Sequence, residues 1–313
     1  MPTIRCRCVR FHSYGDPTKV TQLECTDVDT TLKPTEVSDR RSNRCELGDH
    51  VICLDTAQGI WIEYQAVEEQ NLYKFDKRVD LLTAATFCAN PPTAWMMLKN
   101  YVNLVAGDFV IQNAANSGVG RAVIEIAKAW GLRTINIVRE RPDIADLKAE
   151  LRALGADHVF TEEEFKRDGR KFVAQLDRPL LLALNGVGGR SALGLAASLS
   201  YGGTMVTYGG MSKQPHQITT SALVFNGINV RGVAMGFTLM QSKNAELRTK
   251  IFDELQVRSF LPSLNSASKG KLHGQKADIH PMKDFKTALK QAMAGKHRKQ
   301  VILLSPPGAA SRL

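Results

Sequence analysis

The residues best suited by type and spacing to do chemistry lie between positions 113 and 141. The run Asn113 to Gly120, NAANSGVG, offers only small or amide side chains between an apolar stretch and a helical pattern. With Gly120 as the third glycine of G-x-G-x-x-G, Ala115 and Ser117 take the first two places. The turn stays tight, but its backbone approaches a diphosphate slightly less freely than glycine would allow. The N–H groups that open the following helix suit phosphate. Beyond the next strand, Arg139 and Arg141 flank Glu140. An acid at such a tip accepts the ribose hydroxyls of NAD, whereas two planar guanidinium forks suit a 2′-phosphate, so the pattern favours NADP. The competing readings are a strand-to-helix turn that binds nothing and two solvated loop cations.

Elements with clear signatures surround these residues. Asp108 to Gln112 is a short apolar strand, and Val119, Val123, Ile126, Ala127 and Trp130 recur on one helical face that Gly131 terminates. Arg133 to Val138 is the next strand. Upstream, Asn90 is placed to cap a helix with Pro91 at its first position. Downstream, Asp143 is placed to cap a helix that Gly155 ends, and His158 to Phe160 forms a strand. Leu180 to Leu184 is a buried strand running into the turn Asn185 to Gly189, followed by a helix over Ser191 to Ser200. Gly203 to Thr207 ends in Tyr208-Gly209-Gly210-Met211, and Val230 to Met235 is a further strand. Strands alternating with helices predict a parallel sheet whose ligands sit at the carboxyl ends. Residues 1 to about 88 read instead as β-rich, with strands over Arg5 to Phe11, Val20 to Cys25, Val51 to Leu54 and Gly59 to Val67 and a polar loop at residues 38 to 46. Glu246 to Val257 is a helix, Pro262 to Gln275 a linker, and the chain ends in a helix from Phe285 and a strand over Gln300 to Leu304.

At 313 residues, with 43% hydrophobic and 23% charged residues, the chain has room for two globular domains. Its net charge of +10 comes from scattered basic residues with no nucleic-acid module; an anionic small ligand explains it as well, a basic mitochondrial-type protein would too, and no nucleic-acid partner is expected. No apolar run approaches the ~18 residues of a membrane span. Cys6, Cys8, Cys25, Cys45, Cys53 and Cys88 form no C-x-x-C and have no histidine at ligand spacing. Neither a metal site nor a disulfide framework is expected. Arg5, Arg7 and Arg10, without an acid among the first ten residues, fit the end of a mitochondrial leader and a first strand equally.

The chain resembles the medium-chain dehydrogenase/reductase superfamily and, within it, the mitochondrial trans-2-enoyl-thioester reductases. The resemblance rests on Ala89-Asn90-Pro91-Pro92-Thr93-Ala94, on the run from Gln112 through NSGVG, RTIN and VRERPDI, and on GGTMVTYGGM from Gly202. It implies an α/β protein with a Rossmann-type doubly wound parallel sheet, residues 93–256. A truncated GroES-like substrate domain comprises residues 1–92 and 257–313. It also implies NADPH-dependent reduction of an enoyl group carried on coenzyme A or acyl carrier protein, without metal, in a homodimer of the mitochondrion. By position, Asn116, Ser117, Gly118 and Val119 would hold the diphosphate, and Arg139, Glu140 and Arg141 the adenosine ribose phosphate. Tyr208, Gly209, Gly210 and Met211 would line the cleft, with Asn90, Val233, Ala234 and Met235 nearer the nicotinamide and Lys299 closing the site.

One departure from the family pattern bears on catalysis. Between Thr35-Glu36-Val37 and Leu47-Gly48-Asp49 the family is longer by roughly 45 residues, a stretch that carries strands of the substrate domain and the tyrosine thought to protonate the α-carbon. Tyr14, Tyr64 and Tyr73 do not stand at the matching position, so no catalytic residue is assigned. Loss of a positioned acid predicts a rate lower by about 10²- to 10⁴-fold, and removal of strands predicts exposed sheet edges. Two other functions fit the same residues: an NADPH-binding homologue without catalysis, and an NADPH quinone or enone reductase.

Overall fold

A computed structural model of the chain describes residues 3–11, 16–29, 45, 49–54, 61–65, 67–260, 277–294 and 298–304. The chain divides into two compact units, residues 1–86 with 274–313 and residues 87–273. In chain order the elements are β1 (Thr3–Phe11), α1 (Pro17–Val20), β2 (Thr21–Asp29), β3 (Val51–Cys53), β4 (Leu72–Lys74) and α2 (Leu81–Phe87). There follow α3 (Asn90–Lys99), β5 (Phe109–Gln112), α4 (Gly118–Ala129), β6 (Arg133–Val138), α5 (Ile144–Leu154), β7 (His158–Thr161) and α6 (Glu162–Val173). Next come β8 (Leu180–Asn185), α7 (Gly189–Ser198), β9 (Thr204–Thr207), α8 (Thr220–Val224), β10 (Asn229–Gly232), α9 (Met235–Leu239) and α10 (Ala245–Phe260). The last three are β11 (Ala277–Pro281), α11 (Phe285–Met293) and β12 (Lys299–Leu303).

The first unit is assembled from strand pairs. β1 and β2 run antiparallel from Thr3 opposite Asp29 to Phe11 opposite Thr21, β3 pairs antiparallel with β4, and β11 pairs parallel with β12. A crossover helix is what parallel neighbours require, and α11 supplies it, burying Phe285 and Ala288. The arginine-bearing segment from Arg5 to Phe11 lies in β1. A strand over Gly59 to Val67 is not found: among its described residues only Ile62 pairs, in a single bridge to Cys8. Alternating side chains make a strand only where a neighbouring edge takes up the backbone hydrogen bonds. The polar loop at 38–46, except Cys45, and the linker at Pro262 to Gln275 fall outside the described residues.

The second unit is a six-stranded sheet in the order β10-β9-β8-β5-β6-β7, all neighbours parallel. Such a sheet is covered by helices on both faces, so its central strands carry uninterrupted apolar runs. Phe109, Val110 and Ile111 of β5 and Leu182, Ala183 and Leu184 of β8 are accordingly buried. α4 begins at Ser117, whose hydroxyl accepts the Gly120 N–H at 3.1 Å. Its residues from Ala122 to Ala127 are all buried, a wider belt than one sheet-facing stripe, because α3 covers its other side and Trp95 meets Trp130 edge-on at 6.3 Å. Glu164 and Thr161 cap α6 reciprocally, and Lys148 reaches Glu164 at 2.6 Å from α5.

Three local expectations are corrected. Ala89, not Asn90, precedes α3; Asn90 is its first helical residue and makes no side-chain cap, because the chain is already helical at Ala89. Asp143 opens α5 without a capping bond of its own. The last sheet strand ends at Gly232, which stands opposite Thr207 at the end of β9, and Met235 starts α9.

Gly120 is fixed by contact rather than by torsion. A Cβ there would lie 2.5 Å from the Ala114 carbonyl oxygen and 2.6 Å from that of Ala115, both backbone atoms that cannot swing away. Gly120→Ala is expected to lower stability by about 1–3 kcal/mol or more. Gly194→Ala, on α7 where a Cβ would meet nothing within 4 Å, should raise it by about 0.5–1 kcal/mol. Urea unfolding of the two variants measures both, and equal effects would contradict the packing assigned to the first turn of α4.

Candidate cofactor site

The sheet reverses its winding between β5 and β8, where the chain goes one way from β5 to β6 and β7 and the other way from β8 to β9 and β10. At such a point the loops leaving the carboxyl ends diverge and open a crevice. The two turns that flank it are joined by buried amides. Asn113, just past β5, donates from Nδ2 to Asn185 Oδ1 at 2.9 Å and to Ser191 Oγ at 3.0 Å, and its Oδ1 accepts the Gly186 N–H at 2.7 Å. Asn185 Oδ1 also accepts the N–H groups of Val187 at 3.2 Å and Gly188 at 3.0 Å, while its Nδ2 donates to Thr207 Oγ1 at 3.1 Å. Both asparagines are 0% exposed. The third turn, after β9, is laced to the second through Tyr208 N–H to Asn185 O, Met211 N–H to Gly186 O and Ser212 N–H to Val187 O, at 2.9–3.1 Å.

The first turn carries the helix N-terminus. Ser117 takes up the Gly120 N–H, leaving the preceding N–H groups of Gly118 and Val119 at the open end of α4, where the helix dipole also favours an anion. The residue in the left-handed region is Ala114, with φ 49°, rather than Ala115 at the first glycine position. A Cβ at that torsion costs on the order of 1 kcal/mol. Tyr208 leans over the second turn so closely that a Cβ on Gly186 would sit 2.6 Å from its hydroxyl. That hydroxyl is buried and has no partner of hydrogen-bonding geometry. Burial pushes the phenol up to about 12, and Ser117 offsets this only in part. The group is therefore a neutral hydroxyl beside Ser117 and the helix terminus, without a partner in hydrogen-bonding geometry.

The arginines stand at the neighbouring tip of β6. Arg139 and Glu140 are exposed, and Arg141 is half-buried. Burial pulls the Arg141 guanidinium down from its ordinary value, Asp143 opposes this, and Arg139 and Arg121 add to it. Arg121, on the first turn of α4, donates to the Asn116 carbonyl at 3.1 Å and to Glu150 at 2.9 Å. Positive charge is thus concentrated beside the first turn.

The structure brings Asn116, Ser117, Gly118, Val119, Tyr208, Gly209 and Gly210 to the carboxyl ends of β5 and β9, with Met211 74% exposed. Val233 follows β10 and gives its N–H to Thr207 O at 2.9 Å, Ala234 is exposed, and Met235 opens α9. Asn90 lies in the same unit at the start of α3. Lys299 is an exposed residue at the start of β12 in the other unit. The residues that motif reading passed over are Asn113, Asn185, Thr207 and Arg121. The signal for the first two was present, since an amide ending an otherwise apolar parallel strand needs buried partners.

The family model described as zinc-binding dehydrogenase matches residues 118–251. A mitochondrial enoyl-[acyl-carrier-protein] reductase of Caenorhabditis elegans is 41% identical over 351 residues, covering 99% of each chain. The Homo sapiens protein of that name is 43% identical over 247 residues, 79% of this chain and 64% of its own. In fold the chain is similar to the Etr1p/NADP/crotonyl-CoA complex, Etr1p being from Candida tropicalis, with a TM-score of 0.83 at 24% identity, covering 96% of this chain and 99% of that one. Among the described residues no three His, Cys, Asp or Glu side chains gather as a metal site. Likeness to the nematode protein at this identity, with 99% of each chain covered, means that the chain belongs to the mitochondrial enoyl-[acyl-carrier-protein] reductases of the medium-chain dehydrogenase/reductase superfamily.

Proposed function

We propose that this protein reduces trans-2-enoyl thioesters, carried on coenzyme A or acyl carrier protein, with NADPH in mitochondrial fatty acid synthesis. The observation that carries this reading is the full-length similarity to a mitochondrial enoyl-[acyl-carrier-protein] reductase. The residues at the crevice fit the cofactor. The buried, unpartnered Tyr208 hydroxyl and the open N-terminus of α4 are donors that an anionic diphosphate satisfies, and the arginine cluster beside them suits a 2′-phosphate.

NADPH bound there supplies the hydride for the β-carbon. In this reading the N–H groups of Gly118 and Val119, within the turn Asn116 to Val119, hold the diphosphate from the helix terminus, and Tyr208 donates to it from the opposite turn. Arg139 and Arg141 grip the 2′-phosphate, with Glu140 between them. Gly209, Gly210 and Met211 border the cleft, and Asn90, Val233, Ala234, Met235 and Lys299 are assigned by their match to the family. The unit of residues 87–273 holds the cofactor, and the β-rich unit contributes substrate binding. No described side chain is assigned as proton donor; in this reading water is the proton source and slow turnover is expected. A homodimer fits the edge of the sheet, where β10 has no outer neighbour among the described residues and its Val230 is exposed.

Steady-state consumption of NADPH with a short trans-2-enoyl-CoA tests the activity. Turnover above a cofactor-only control is expected. NADPH binding without turnover would favour a non-catalytic homologue, and turnover of quinones but not thioesters a quinone reductase. For selectivity, Arg139→Ala combined with Arg141→Ala should weaken NADPH by about 10²-fold or more, as loss of two charge-assisted contacts implies, while NADH changes little. Isothermal titration with both cofactors reads this, and equal losses would contradict the phosphate assignment. Tyr208→Phe removes a buried donor that the unliganded protein leaves unsatisfied, so its thermal midpoint should hold or rise while NADPH affinity falls by about tenfold. A lower midpoint would mean that the hydroxyl is satisfied without the cofactor.

A further inference from the structure

Asn113 sits on the first turn, yet all its side-chain bonds run to the second half of the sheet. It holds Asn185, the Gly186 N–H and Ser191 at 2.7–3.0 Å, and its own N–H goes to Leu184 O at 3.2 Å. Asn185 completes the chain by capping the Val187 and Gly188 N–H groups and anchoring to Thr207 of β9. Every polar atom of the two amides is used, and both are 0% exposed. A satisfied buried amide network has one geometry, because any other leaves a donor or acceptor unpaired in a low dielectric. The turn it holds, Asn185 to Gly189, contains three glycines, with Gly188 at φ 81° and Gly189 at φ 53°. Left to itself, such a segment has wide conformational freedom.

A dinucleotide lies across the reversal point with one nucleotide on each half of the sheet. The first turn and the arginine tip of β6 belong to one half, the second and third turns to the other. We propose that Asn113 and Asn185 are positioning residues that set the span between the two halves of the site, so that the second turn meets the cofactor pre-organised. The proposal rests on the NADPH reading. It implies that breaking the pair releases the second turn without disturbing the adenosine subsite, which is built on α4 and the tip of β6.

The test compares NADPH with 2′,5′-ADP, a fragment confined to the adenosine half, by isothermal titration. For Asn113→Ala the dissociation constant for NADPH should rise by at least about tenfold, the loss of roughly one to two buried hydrogen bonds' worth of pre-organisation, while that for 2′,5′-ADP stays within about twofold. Should that variant fail to fold, Thr207→Val, which removes only the Asn185 anchor on β9, is read in the same way, with a rise of about threefold or more. Unchanged NADPH affinity in a folded variant overturns the proposal. So does a parallel loss of both ligands, which would make the pair merely structural. A wild-type protein that binds neither ligand overturns the NADPH reading and this proposal with it, whereas a wild-type protein that binds both isolates any failure to the asparagine pair.

Discussion

Asn113 and Asn185 meet through an amide–amide hydrogen bond of 2.9 Å where β5 and β8 end and the sheet changes direction. Adjacent parallel strands fix the spacing of their backbones, but not the direction in which the chain leaves them. Here that direction is imposed by side chains. One asparagine gathers the start of α7 and the second turn, and the other gathers the second turn and β9. Two buried amides cost free energy unless every group is paired, so the arrangement is cooperative. Neither residue has a second geometry that satisfies the other.

The amides farther along the sheet are linked as well, although Gln112 Oε1 is buried without a partner. Gln112, ending β5, donates to Asn136 on β6 at 2.8 Å and to the Gly120 carbonyl at 2.9 Å, and Asn136 goes on to Thr134 and His158. Side-chain amides thus link the strands across the sheet from β9 to β7, beside the apolar packing of the central strands. Beside the first turn the charges are cationic, at Arg121, Arg139 and Arg141, with Asp143 and Glu150 as partial counterweights. A polar floor, a helix terminus and a cationic flank are together what an elongated anion requires.

The doubly wound sheet was legible because parallel strands buried on both faces write uninterrupted apolar runs between glycine-ended turns, and Phe109 to Gln112 and Leu180 to Asn185 do so plainly. The arginine tip was legible because it adjoins its strand in sequence. The asparagine pair was not, since the two residues are 72 positions apart and only the fold brings them together. Helix α6 escaped notice because its charged first turn hides few apolar residues, although the Thr161–Glu164 capping box was there to be read. The first unit was least legible. Its short strand pairs depend on neighbours far away in the chain, as β11 with β12 and Ile62 with Cys8 illustrate, and alternation alone over-extended a strand to Gly59–Val67.

The central claim is that this crevice delivers a hydride from NADPH to the β-carbon of an enoyl thioester, with the proton for the α-carbon taken from water. Incubation of the intact protein with crotonyl-CoA and NADPH deuterated at the transferred position, followed by mass spectrometry and NMR of the product, measures this directly. The account predicts butyryl-CoA with one deuterium at the β-carbon and none at the α-carbon. Product without deuterium, or no product from protein that binds NADPH, would contradict it.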